Sequence, residues 1–333
     1  MSSLLMVVAG VHGLMIFEHQ EDAWQQVGEA LTGYHFTSVT SGDHYLLAST
    51  TDGIVRSIDS GKTWWEANDG LTNRHIRWLA CHPDQPEFVL AGTEPAAVFA
   101  SDNGGENWRE CPEVVGLRER FGWYLPYSPE AGCVRGFAFH GLRAYAAVEQ
   151  GGLLRSNNRG GSWHLVPGST GDPRAPIPES FIHPDVHSVV VHPSSPDQVF
   201  APTGGGLYHS SDGGTTWELL YRCYCRAVWI DPITPDHLIF GPADSVDSFG
   251  RIEESIDGGR TWRPITMGLQ SPWPEHMVER FVPVEDELLA LLSNGQVLAA
   301  PLKTLAWRNL LLPVEGVNAV TSVSSDSEEV TLR

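Results

Sequence analysis

One short phrase ending in tryptophan recurs along this chain at nearly even spacing, and it constrains the fold more than any other feature. Ser57-Ile58-Asp59-Ser60-Gly61-Lys62-Thr63-Trp64 returns as Ser101…Gly105…Trp108, as Ser156…Gly160…Trp163, as Ser210…Gly214…Trp217 and as Ser255…Gly259…Trp262. Trp24 and Trp307 extend the series in both directions, and the successive gaps from Trp24 are 40, 44, 55, 54, 45 and 45 residues. A unit of this length cannot bury its own apolar face, so units must stack. Helix-period apolar runs are scarce, while 34 Gly and 23 Pro suit many short strands joined by turns. Stacked units of short strands at this period read as propeller blades.

Each unit parses as four strands. In the third, His75–Ala80 reads as the inner strand, Phe88–Gly92 as the second and Ala97–Ser101 as the third, with Trp108 beginning the outer one. The same order returns at Val134–His140, Tyr145–Val148, Leu153–Ser156 and Trp163. It returns again at His187–His192, Val199–Ala201, Leu207–Ser210 and Trp217. The chain opens on three strands that lack an inner one and closes on Val317–Val323, a strand without a partner. Pairing tail with head removes the open edges. The expected fold is therefore all-β: one seven-bladed β-propeller over residues 1–333, with antiparallel four-stranded blades. Its first blade is assembled from residues 4–28 plus 317–323, and residues 324–333 are expected to fray.

The net charge of −20 sets this surface against phosphate backbones and anionic membranes, so nucleic acid and membrane are not expected partners. The apolar start Leu4–Ala9 is too short for a membrane span and lacks a basic leader, which favours a strand. Five cysteines without paired spacing fit a reducing cytoplasm and structural roles.

The phrase Ser-x-Asp-x-Gly-x-Thr-Trp resembles the Asp-box, or bacterial neuraminidase repeat. Copies led by Ser57, Ser210 and Ser255 keep the Asp; those led by Ser101 and Ser156 carry Asn103 and Asn158 in its place. The chain resembles the Asp-box propeller superfamily, which includes sialidases, xyloglucan-active glycoside hydrolases, sortilin-type receptors and photosystem II assembly factors. Its look is most like the bacterial BNR-like repeat propellers. The resemblance implies that the box joins the third and fourth strands on the face opposite any active site. Asp59, Asp212 and Asp257 are then turn-forming rather than catalytic, accepting backbone N–H groups as Asx turns do.

Chemistry is therefore expected on the other face. Three long insertions, Cys111–Cys133, Leu165–Val186 and Thr266–His276, connect blades there. The loops between second and third strands bring His12, Asp52, Glu94, Glu149, Thr203 and Asp244 or Asp247 to the rim. The starts of the inner strands add Arg77, Arg135, Asp185, His187, Arg226 and Glu279. Carboxylates, imidazole and guanidinium around one funnel suit acid–base chemistry, a metal ion or an anionic ligand.

The residues expected to act are His187, Glu149 and Glu94 as acid–base groups. Arg135, Arg226, Trp123, Tyr224 and Asp185 are expected to contact substrate. His12, Glu94, Glu149 and His187 are candidate ligands for a divalent metal ion. For Glu94, Glu149, His12 and His187 a turn or packing role stands beside the chemical one, and Arg135 and Arg226 could equally pair with Glu94 and Glu149. Trp123 belongs to an aromatic and arginine-rich insertion that suits either a sugar platform or a packed loop.

The sequence leaves two functions open. One is an enzyme, a hydrolase or lyase acting on a small anionic or glycan-like molecule. The superfamily's sialidases carry an Arg-Ile-Pro phrase and six blades, and this chain has neither, so sialidase activity is not expected. Among the enzymes of propeller folds the lyases that hold a divalent metal with His and Glu at one mouth are the nearer analogy. The other reading is a protein-binding or assembly scaffold.

Overall fold

The computed structural model describes residues 4–20 and 23–324. It is a seven-bladed β-propeller: seven separate sheets, each of four antiparallel strands. In the first blade Val317–Ser324 lies against Leu4–Gly10, followed outward by Gly13–Gln20 and Ala23–Ala30. Leu4 stands opposite Ser324 and Val8 opposite Val320, so head and tail share one ladder and the ring closes. Of residues 324–333, expected to fray, Ser324 pairs with Leu4, and 325–333 lie outside the described residues.

The core lies between blades. Phe88, Leu90 and Val98 of the third blade pack with Val134, Leu154 and Trp163 of the fourth, all buried. The tryptophan-ending turns explain the repeat locally. Ser57 Oγ accepts the Gly61 N–H at 2.9 Å, and Asp59 Oδ1 accepts the Thr63 N–H at 2.9 Å. Where Asn replaces Asp the same oxygen serves: Asn103 Oδ1 accepts the Asn107 N–H at 3.2 Å. These turns follow the third strand of their blades, at the end of each sheet opposite the loops between second and third strands. The tryptophans then knit blade to blade. The Trp108 backbone N–H donates to Asp69 O of the preceding blade at 2.8 Å, and its indole N–H to Ala67 O at 3.0 Å. Gly70, at φ +84°, allows this approach, because a Cβ there would collide with the Trp108 carbonyl.

Three local features depart from the expectation. The outer strands begin after the tryptophan, at Arg109–Glu110 and His164–Leu165 for example, and most are two residues long. The inner strand of the fifth blade shrinks from the expected His187–His192 to Val190–Val191, where the His187 and Ser188 N–H groups converge on Pro202 O instead of continuing the ladder. The Cys111–Cys133 insertion opens with a helix, Pro112–Phe121, that starts on Pro112 and stops at Gly122 in the left-handed conformation.

Candidate functional site

The inner strands share a defect at one end. In the second, third, fourth, sixth and seventh blades the register against the second strand slips between Phe36 and Ser38, Ile76 and Trp78, Val134 and Gly136, Cys225 and Val228, and Val278 and Arg280. The first blade slips at Gly10, leaving Asn318 without a partner between Val317 and Ala319. In the fifth, the His187 and Ser188 N–H groups both donate to Pro202 O, at 3.0 and 3.4 Å. These are β-bulges, in which two residues oppose one and the extra side chain is re-aimed. The bulged positions are Asn318, Thr37, Arg77, Arg135, His187, Arg226 (with Ala227) and Glu279.

Five of those seven side chains, Thr37, Arg77, Arg135, Glu279 and Asn318, line one cavity of about 260 Å³ at the channel mouth. His35, Trp78, Arg280, Leu292, Ser293 and Val317 complete its wall. Bulging explains why sequence neighbours such as Arg77 and Trp78, or Glu279 and Arg280, face the same space, which regular alternation forbids.

The charges are organised as a chain. Arg77 Nε lies 3.6 Å from Glu94, whose other oxygen accepts the Ser128 hydroxyl at 3.0 Å. Arg135 holds Glu149 at 3.1 Å and Glu279 at 3.5 Å. Glu279 also pairs closely with Arg226, which donates to the Tyr224 hydroxyl at 3.1 Å. Burial would raise the Glu279 carboxyl, but Arg226 and Arg135 outweigh it and hold the group below the usual carboxylate range. Tyr224 Oη lies 3.4 Å from His187 Nε2, and that nitrogen lies 3.2 Å from Asp185 Oδ2. His187 is 2% exposed, and its Nδ1 bonds the Cys225 carbonyl at 2.7 Å. The Asp185 side chain, 14% exposed, lies against the imidazole. Gly204 makes room for that carboxylate, since a Cβ there would strike it. Glu149, Asp185 and His187 bring ligand-type atoms within 4.8 Å of one another.

Arg280 stands apart. Its guanidinium lies over the Trp78 ring, 3.8 Å from the centroid, and donates to Thr37 O at 3.3 Å. Among the described residues no carboxylate forms an ion pair with it, although Glu279 attracts it from a distance. Burial first, then Arg135 and Arg77, destabilise its charged form despite Glu279.

The structure thus brings together Glu149, Asp185, His187, Tyr224, Arg135 and Arg226 in one network. Glu94 sits apart from the Glu149–Asp185–His187 group, held by Arg77 and Ser128. His12 is exposed in its turn and is not in that group. Trp123 is 3% exposed, packed in the core between third and fourth blades, with its indole N–H on Gly171 O at 2.7 Å; it is packing, not a platform. Trp273 stacks on His276, its centroid 5.2 Å away. Sequence reasoning missed Thr37, Trp78, Arg280 and Asn318. The signal available was their position in the repeat, at the entry to the inner strand.

All five cysteines are free thiols. No family model matches the sequence, and no curated protein matches it. Among solved structures the chain is similar to an ancestral GH74 enzyme, with 17% identity and a TM-score of 0.60 over 80% of this chain and 36% of that one. It is similar to YCF48 bound to D1 peptide, with 15% identity and a TM-score of 0.59 over 94% of this chain and 93% of that one. It is also similar to apo AztD from Citrobacter koseri, with 8% identity and a TM-score of 0.59 over 98% and 99% of the two chains. The chain spans about a third of the GH74 enzyme's length and nearly all of the other two. At these identities the shared property is the fold: this chain is a seven-bladed β-propeller whose solved relatives in shape include a GH74 enzyme and a protein bound to D1 peptide.

Proposed function

We propose that this propeller binds a small anionic molecule, a carboxylate or comparable oxyanion, in the arginine-lined cavity at its channel mouth. Acid–base groups beside that cavity then make it a hydrolase or lyase. The observation that carries the reading is Arg280, a cation in a confined site flanked by two further guanidiniums. A half-buried guanidinium with no ion-pair partner is disfavoured, and a site that keeps one is suited to an incoming charge of opposite sign. The contrast with the molecule as a whole supports this: a chain of net charge −20 gathers Arg77, Arg135, Arg226 and Arg280 around one opening. Planar guanidiniums match carboxylate and oxyanion geometry. The cavity of about 260 Å³ favours a compact ligand over a polysaccharide chain. Tyr224 supports the catalytic half of the reading. Desolvation raises its phenol above the usual range against the opposing pull of Arg226, which keeps a proton on Oη beside His187.

A second reading, a ring that binds a protein segment without catalysis, takes its support from the end-to-end match to YCF48, whose structure holds a D1 peptide. Calorimetric titration with acetate, succinate, sulfate and phosphate separates the two. The small-anion reading expects saturable, salt-sensitive binding of at least one of these. It also expects Arg77→Ala to weaken that binding by roughly 10-fold or more, the value of one charge-assisted hydrogen bond. No saturable binding of any of them, or identical binding by Arg77→Ala, overturns it and leaves the peptide-binding ring.

A further inference from the structure

We infer that Glu149, Asp185 and His187 form a binding site for one divalent transition-metal ion of the zinc type. This goes beyond the anion reading and does not depend on it.

The three side chains come from different places in the chain: the end of a second strand, the loop before an inner strand, and a bulge. Yet their ligand atoms lie within 4.8 Å of one another. An ion held at about 2.0–2.2 Å from each would draw them to separations of about 3.4 Å, which small side-chain rotations supply. The imidazole is already committed. Its Nδ1 lies 2.7 Å from the Cys225 carbonyl, which can only accept, so Nδ1 carries the proton. A backbone carbonyl on one ring nitrogen is the usual device for fixing a metal-binding tautomer. In the neutral ring Nε2 then presents a lone pair, and it faces Asp185 Oδ2 at 3.2 Å. Two acceptors at that separation repel unless a cation or a second proton lies between them.

Asp185 adds a separate indication. Its other oxygen, Oδ1, is buried and has no hydrogen-bond partner among the described residues. Buried carboxylate oxygens are rarely left so, and a bound cation satisfies an orphan of this type. Glu149 is 4% exposed and gives one oxygen to Arg135, and a carboxylate has a second to offer. One imidazole nitrogen with two carboxylates suits zinc, manganese or cobalt rather than the all-oxygen calcium or magnesium. Three protein ligands leave coordination positions open, the arrangement of catalytic rather than structural sites. Arg135 bonds Glu149 and lines the cavity, so those positions adjoin the proposed anion site.

The test uses the full chain without a histidine tag, stripped with chelator and titrated with Zn2+ by calorimetry and with Co2+ by visible absorption. The expected result is one ion per chain, Co2+ bands of low-symmetry coordination, and affinity lowered by roughly 100-fold or more in both Asp185→Asn and His187→Gln, since losing even a group that only hydrogen-bonds a ligand costs about 10–100-fold. Absence of Co2+ bands, or an affinity in both variants equal to that of the unmutated protein, overturns the inference. The second outcome would move the ion elsewhere, for instance to His237 between Asp231 and Glu254. Nitrogen-15 NMR of the His187 ring in unmutated protein gives an answer that requires no variant to fold. A zinc-dependent shift of Nε2 with Nδ1 still protonated supports the site. A ring protonated on both nitrogens in zinc-saturated protein shows that a proton fills the gap, and overturns it.

Discussion

Replacing Arg280 by Met tests whether this side chain serves the scaffold or a ligand, because the two roles give opposite signs. The substitution removes a guanidinium stacked 3.8 Å from the Trp78 centroid, a loss of about 1–2 kcal/mol. It also removes a long hydrogen bond to Thr37 O, 3.3 Å, worth about 1 kcal/mol. Against these stand two gains. A half-buried charge crowded by Arg135 and Arg77, with Glu279 attracting it only from a distance, disappears, relieving about 3 kcal/mol net. The thioether can also rest on the same indole, returning about 0.3–1.5 kcal/mol. The balance favours the variant by about 1 kcal/mol in the absence of ligand, which for a chain of this size raises Tm by about 2 °C. Anion binding should weaken by roughly 10-fold to 100-fold. The assay is differential scanning calorimetry at a fixed scan rate in a buffer of low anion content, repeated with the anion at about 100 times its Kd, where linkage adds about 2.7 kcal/mol to the unmutated protein and little to the variant. A Tm lowered by more than about 4 °C, together with unchanged anion affinity, would refute the reasoning and make Arg280 a scaffold residue.

Two further outcomes are expected. Ending the chain at Gly316 removes the whole ladder from Leu4↔Ser324 to Gly10↔Val317 and uncovers Met6 and Val8; the loss exceeds the roughly 5–15 kcal/mol that holds a domain folded. The shortened chain should lose the near-ultraviolet dichroism of its packed tryptophans, and a cooperative transition at the unmutated Tm would contradict ring closure as the source of stability. The turn carboxylates set part of the acid limit. Asp59 and Asp212 are held low against a burial effect of opposite sign by bonds from Thr63 and Thr216, and Asp257 is lowered to about 2 by bonds from Thr261. A folded-state pKa below the unfolded value of 3.8 means stability present above about pH 4 and lost as pH falls towards 2. The triple variant Asp59→Asn, Asp212→Asn, Asp257→Asn keeps the turn, as Asn103 and Asn158 already do, and should lose stability less steeply over that window; an unchanged acid limb, read by tryptophan fluorescence, would count against the assignment.

The repeat was legible because its cause is local. Ser57, Asp59, Gly61 and Thr63 satisfy one another within a single turn, and the tryptophan that follows must pack against something. The missing inner strand of the first unit and the surplus strand at the end were readable from the same pattern. The helix at Pro112–Phe121 had a signal too, Pro at its first position and Gly after its last, obscured by the aromatic and arginine content around it.

By itself, then, the sequence determined the number of blades and their closure, since each follows from hydrogen bonds and apolar alternation over a few residues. It also named Arg77, Arg135, Asp185, His187, Arg226 and Glu279 at one end of the ring. Tertiary structure decided which of them meet. Glu149, Asp185 and His187 converge through a bulge, while Glu94 and His12 are held elsewhere. It decided too that Arg280 faces the cavity beside Glu279. Alternation along a regular strand would send those neighbours to opposite faces; one inserted residue cancels that rule, and an insertion leaves no mark on composition or period.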